Sequence, residues 1–201
     1  DTVRRQRQMC IRDRYIGKRC NFSCSYCVDY LHDYTSPHVP LENMKQLVDV
    51  IYEKEGSNVL WSLTGGEPTI NPKFLDLCAY IRSKGRRYIS VTTNGSRTLQ
   101  YHKDMFDLVD GITQSFHFEF MEQRIDEYIE KFIELEKYRL ELNSKLSKGE
   151  PKKTLILRFM VETGQLHNVE RMDKAYRDAG ITNICLLCTS PSPRDRVQSR
   201  L

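Results

Sequence analysis

The chain has 201 residues, 39% of them hydrophobic and 29% charged, with a formal net charge of +4. That length suits one domain of ordinary size, and no apolar run reaches the roughly 18 residues of a membrane span. The N-terminus is rich in Arg and Gln with no apolar segment behind it, so no signal peptide is expected.

The ends read differently from the middle. Residues 4–14, RRQRQMCIRDR, and 185–196, CLLCTSPSPRDR, show neither helical nor strand periodicity. Both resemble the conceptual translation of adapters used to prepare sequencing libraries, the second with Cys188 where that translation has Tyr. Residues 1–14 and 185–201 are therefore expected to be non-native, disordered ends around a core of 15–184. The ends carry eight Arg against three Asp, so the core comes to −1. The basic pI belongs to the ends and gives no ground for a nucleic-acid partner. Setting the ends aside also removes Cys10, Cys185 and Cys188 from consideration.

In chain order, the first candidate strand is YIGKR (15–19). A helix is expected over 41–55, with Leu41, Met44, Leu47, Val48 and Ile51 at helical spacing. The strand NVLWSLT (58–64) follows, then a helix opened by Asn71-Pro72 and closed by Gly85. Cys78 sits in that helix and reads as a small buried hydrophobe. Further strands are YISVTTN (88–94), GITQSFHFEF (111–120) and TLILRFMVE (154–162). A long charged helix over 121–148 and another over 169–179, closed by Gly180, complete the pattern.

Strands alternating with helices indicate an α/β fold with parallel strands. The strands place polar residues on one face: Ser62 and Thr64; Ser90, Thr92 and Asn94; Ser115, His117 and Glu119; Arg158, Met160 and Glu162. A doubly wound sheet would be apolar on both faces. One polar face fits a barrel lumen, with a site at the C-terminal rim. About five strands are expected before the chain runs out near Ile184. An antiparallel sheet with one solvated face is the alternative, and the helical crossovers count against it.

The segment CNFSCSYC places Cys20, Cys24 and Cys27 in a C-x3-C-x2-C spacing. Without a secretory signal, such clustered thiols point to a metal site more than to disulfides. A zinc ion would need a fourth ligand, for which His32 and His38 are near. An iron–sulfur cube held by three thiolates keeps one iron open to a chelating small molecule.

CNFSCSYC resembles the cluster loop of the radical S-adenosylmethionine (radical SAM) enzymes. LTGGEPTINP (63–72) resembles their glycine-rich motif after the second strand, and TTNG (92–95) their turn after the third. The resemblance covers roughly 15–184 and implies a partial (β/α)6 barrel. It implies that Cys20, Cys24 and Cys27 ligate a [4Fe–4S] cluster and that S-adenosylmethionine chelates the fourth iron. It further implies reductive cleavage to methionine and a 5′-deoxyadenosyl radical, which takes hydrogen from a substrate.

On this resemblance, Tyr26 lies near the adenine. Gly65 and Gly66 allow close backbone approach to the ligand, Glu67 suits its amine, and Pro68 stiffens the turn. Thr92, Asn94 and Ser115 are hydrogen-bonding candidates, and Arg158 pairs with the methionine carboxylate. Taken singly, the Gly-Gly-Glu-Pro and Asn-Gly segments also read as plain turns. Arg158 could instead pair with Glu162. His117 and Glu119 are candidate proton-handling residues, or hydrogen-bonding groups within the lumen. Where many relatives carry an aromatic after the third cysteine, this chain has Val28. The substrate is expected to be a peptide, as in maturases, with a nucleotide or deazapurine as the alternative. A non-catalytic Cys3His zinc module is the reading from another class. An electron donor such as flavodoxin or ferredoxin is implied, and a cytoplasmic location follows from the absent signal and an oxygen-sensitive cluster.

Overall fold

The computed structural model describes residues 10–27, 32–56, 59–85, 88–162 and 164–188. Within them six strands run parallel and in sequence order: β1 (Cys10–Tyr15), β2 (Val59–Thr64), β3 (Ile89–Thr93), β4 (Gly111–Phe116), β5 (Thr154–Val161) and β6 (Ile184–Cys188). Parallel neighbours need long crossovers, and helices supply them. They are α1 (Leu41–Glu55), α2 (Phe74–Ser83), α3 (Leu99–Leu108), α4 (Phe118–Met121) with α5 (Ile125–Ser144), and α6 (Leu166–Asp178). The strand order leaves β1 and β6 as the two edges, so the sheet is a partial barrel rather than a closed one.

The period-2 reading holds for the middle strands. Val59, Trp61 and Leu63 of β2, Ile89 and Val91 of β3, and Leu155, Leu157 and Phe159 of β5 are buried beneath the helices. Their polar alternates are only half-covered. An aromatic cluster anchors the β4–β5 side: Phe116 packs on Phe159 at 5.1 Å, on Phe132 at 5.5 Å and on Tyr176 at 5.9 Å between ring centroids. Cys78 is fully buried in α2, as its helical position implied.

Several expectations are corrected. The inner parts of both end segments belong to the sheet: β1 pairs with β2 from Cys10 to Tyr15, and β6 with β5 from Ile184 to Cys188. Backbone pairing to a ready-made neighbour gives these segments a ladder that their own composition does not announce. Residues 1–9 and 189–201, and Val28, lie outside the described residues. The first strand therefore precedes residues 15–19, and the count is six rather than five.

α3 was not expected at all, yet Thr98 caps it by accepting from the Tyr101 N–H at 3.2 Å. Its His102, Met105 and Phe106 are buried. β4 stops at Phe116 instead of running to residue 120. The charged α5 still buries one stripe at helical spacing: Ile125, Tyr128, Lys131, Phe132, Leu135 and Glu136.

Candidate cofactor site

The strand ends converge on one cavity of about 340 Å³. The cysteine loop after β1 contributes Cys20, Phe22, Cys24, Tyr26 and Cys27. The β2 end gives Thr64, Gly65, Gly66 and Glu67, and the β3 end Thr92, Thr93 and Asn94. Ser115 comes from β4 and His117 from just past its end, Arg158 and Met160 from β5, and Leu187 from β6. This is the C-terminal rim that parallel barrels use for ligands. Register places Ser115 directly beside Arg158. Among the lining residues Arg158 is the only Lys or Arg.

The cavity thus gathers all three expected cysteines and all but two of the other expected site residues. Pro68 is buried in a short 3-10 turn and faces a separate crevice with His38, Arg19 and Asn71. Glu119 does not line the cavity. It accepts from the Ser25 N–H at 2.9 Å and from the Ser25 hydroxyl. Thr64, Thr93, Phe22, His32, Met160 and Leu187 line the cavity without having been expected as part of the cofactor site. Thr64 and Thr93 lie within the two motifs and could have been found there. Leu187 sits in a segment whose composition gives no sign of it.

The glycine pair also packs against the protein's own backbone. A Cβ on Gly65 would lie 2.6 Å from the Gly17 carbonyl oxygen, and φ there is +147°. A Cβ on Gly66 would lie 2.3 Å from the Lys18 oxygen and 2.4 Å from that of Arg19. The close approach is therefore to the backbone entering the cysteine loop. Gly66 N–H donates to Gly17 O at 3.0 Å, and Glu67 N–H to Arg19 O at 2.9 Å.

Glu67 fastens the other side. Its buried carboxylate accepts from Thr69 N–H at 3.0 Å, Thr69 Oγ1 at 2.5 Å, Thr93 Oγ1 at 2.7 Å and Asn94 N–H at 2.6 Å. Burial raises its pKa, while these donors favour the charged form. Asn94 in turn donates from Nδ2 to Asn21 Oδ1 at 2.9 Å, reaching the cysteine loop. Glu67 and Asn94 thus hold the cavity wall with the same groups that were expected to face a ligand. Glu67→Gln is expected to leave at least one backbone N–H without an acceptor, because one carboxamide end can only donate. The loss should be about 1–3 kcal/mol, read as a lower denaturant midpoint at unchanged slope.

Burial dominates the electrostatics. It pushes the Cys20 thiol up to about 11 and the Cys24 thiol up to about 12. It pushes His117 down to about 4. Glu162, just past β5, is raised to about 7 by burial and then by the charge of Glu119. A carboxylate paired with a guanidinium would shift down, so the alternative of an Arg158–Glu162 ion pair is not supported.

The donor set fits a cluster. Three soft thiols, all reduced, face one cavity. Among the described residues no three His, Cys, Asp or Glu side chains are placed to hold a single ion. Three thiolates in one cavity suit an iron–sulfur cube, in which each meets its own iron. His32 remains beside the cysteines, whereas His38 lies in the other crevice.

An α/β partial barrel with a three-cysteine loop after its first strand defines a cofactor-dependent barrel of the (β/α)6 type. A family model described as the radical SAM superfamily matches residues 15–189, and the chain belongs to that superfamily. Its members are enzymes that use a [4Fe–4S] cluster and S-adenosylmethionine.

GTP 3′,8-cyclase of Pectobacterium atrosepticum is 37% identical over 83 residues, 39% of this chain and 25% of that protein. Molybdenum cofactor biosynthesis protein 1 of Bos taurus is 35% identical over 83 residues, 40% of this chain and 13% of that protein. Among solved structures, native anSMEcpe with bound AdoMet and the Kp18Cys peptide aligns with a TM-score of 0.63 at 16% identity, over 90% of this chain and 51% of that one. That likeness concerns the fold alone. The chain spans about a quarter or less of the length of these curated relatives. Among the described residues no helix is long and apolar enough to cross a membrane.

Proposed function

We propose that this chain is the catalytic core of a radical SAM enzyme acting on a purine nucleotide. The observation that carries the core reading is the convergence of Cys20, Cys24 and Cys27 with the Gly65–Glu67 turn and the polar ends of β3, β4 and β5 on one cavity. When bound, the reduced cluster and S-adenosylmethionine supply a 5′-deoxyadenosyl radical for hydrogen abstraction.

The chain's own residues bind and orient. The three cysteines hold the cluster. Arg158, beside Ser115, takes the ligand's carboxylate, and a guanidinium suits that group in a bidentate fashion. Carbonyls of the Gly65–Gly66 turn receive its amine, with Glu67 fixing the turn. Tyr26 offers an aromatic face for the adenine, and Thr92 hydrogen-bonds the sugar. The relatives named as GTP 3′,8-cyclases favour a nucleotide over the peptide first expected. A flavodoxin or ferredoxin is the natural electron donor, and the cytoplasm the natural setting.

Anaerobic reconstitution tests this. The protein should bind about four irons and turn brown, absorbing near about 400 nm. With dithionite it should convert S-adenosylmethionine to 5′-deoxyadenosine, faster with GTP than with a cysteine-containing peptide. A colourless protein holding one tight zinc would overturn the core reading. Stimulation by the peptide alone would overturn the nucleotide reading.

A further inference from the structure

The cysteine loop is gripped from one side by a single short stretch of chain. His117 Nδ1 lies 2.5 Å from Tyr26 Oη and 3.3 Å from Cys24 Sγ, and its ring stacks on that of Tyr26. Glu119 accepts both hydrogen bonds offered by Ser25. Phe120 stacks on Phe22 with centroids 4.8 Å apart and planes 8° apart. Phe22, Cys24, Ser25 and Tyr26 thus each meet a partner within residues 117–120.

The stretch is itself fixed. Phe118 and Met121, each 1% exposed, seat it in the core. The His117 N–H contacts Met121 Sδ at 3.2 Å, and Phe120 N–H donates to His117 O at 3.0 Å. Ending β4 at Phe116 and turning into α4 is what makes this possible. A continued strand would send Phe120 to the face opposite His117. A helical turn puts residues three apart on one side.

We propose that residues 117–120 form a clamp that sets the cysteine loop in its ligating shape before any cluster is present, with His117, Glu119 and Phe120 as positioning residues. This deepens the cluster reading above and rests on it. Fixing a residue's backbone costs conformational entropy, and a loop ordered in advance does not levy that cost on cluster binding. The clamp also accounts for Phe120, which is 38% exposed yet spends its ring on the loop. Glu119 faces Ser25 and does not line the cavity.

The test uses the full chain, its Glu119→Gln variant and a Glu119→Ala/Phe120→Ala double variant. In the metal-free, anaerobic proteins, iodoacetamide labelling is followed by mass spectrometry at Cys20, Cys24 and Cys78. Cys78, buried in α2, reports global opening. The double variant should label at Cys20 and Cys24 roughly tenfold faster, the factor that losing one or two net hydrogen bonds gives a local opening equilibrium. Cys78 should be unchanged and Glu119→Gln should resemble the parent, since its amide oxygen can still accept from Ser25. After reconstitution, the double variant should also lose iron to a chelator faster. Unchanged loop labelling, or equal acceleration at Cys78, would overturn the clamp. Failure of the parent to take up iron would instead strike the cluster reading, while the metal-free labelling still decides the clamp.

Discussion

Cys24→Ala is expected to abolish 5′-deoxyadenosine formation while leaving the chain folded. Cys24 is the most buried of the three loop cysteines, at 7% exposure, and sits centrally between Cys20 and Cys27. Removing its sulfur takes away one of three protein anchors. Altering groups that merely support metal ligands costs about 10–100-fold in affinity, so losing a ligand should cost more than about 100-fold. The fold itself should lose on the order of 1 kcal/mol, the cost of a small buried sulfur. Iron content, absorbance and thermal midpoint of the variant separate the two effects. Cys78→Ala serves as the control: a similar thiol, buried outside the cavity, whose loss should weaken stability alone. Undiminished deoxyadenosine from Cys24→Ala would remove the cysteine loop from the chemistry.

The site was legible where its chemistry is local in sequence. Three thiols within eight residues and a Gly-Gly-Glu turn following a strand announce themselves. The lumen face followed from alternation in β2, β3 and β5, which put Thr64, Thr92, Arg158 and Met160 where they are found. What escaped depends on partners distant in sequence. The segment CIRDRY carries three charges and gives no strand pattern, yet β2 supplies its ladder. The alternation of Phe116, Phe118 and Phe120 argues for strand throughout. Tertiary contacts prevail: Phe118 packs on Phe159 and Phe120 reaches back to Phe22. α3 left a signal that could have been used, since Thr98 followed by Leu99, His102, Met105 and Phe106 is a cap and an apolar stripe.

The same division explains why the structural bonds of two motif residues escaped the sequence. Glu67 and Asn94 stand in motifs associated with ligand contact, and sequence alone does not reveal which hydrogen bonds the protein already fills. Glu67 joins the β2 turn to the β3 end, and Asn94 joins that end to Asn21 in the cysteine loop. The cavity wall is thus one connected network from β3 through the glycine turn to the cysteines. Its integrity depends on the packing of bare backbone against bare backbone at residues 16–19 and 65–66.

Gly66→Ala should therefore be among the most damaging single methyl additions in the chain. Its φ lies outside the left-handed region, so alanine is excluded there by space alone. The new Cβ would sit 2.3 and 2.4 Å from two carbonyl oxygens and 2.7 Å from the Arg19 carbonyl carbon. All three are backbone atoms and cannot rotate away, so residues 18–19 must move. That movement breaks the Gly66-to-Gly17 and Glu67-to-Arg19 hydrogen bonds and displaces the strand-to-loop connection just before Cys20. Overpacking typically costs about 1–3 kcal/mol, and with two hydrogen bonds disturbed the upper end or beyond is expected. Gly180→Ala provides the contrast. It has φ +83° with nothing within 4 Å of its would-be Cβ, so only the left-handed conformation opposes the substitution, at about 1–2 kcal/mol. Urea unfolding of the two variants decides the matter. Gly66→Ala should fall further and should also bind less iron on reconstitution, whereas Gly180→Ala should keep its full complement. If Gly66→Ala is no less stable than Gly180→Ala, the two backbone segments do not meet as closely as the hydrogen bonds between them require.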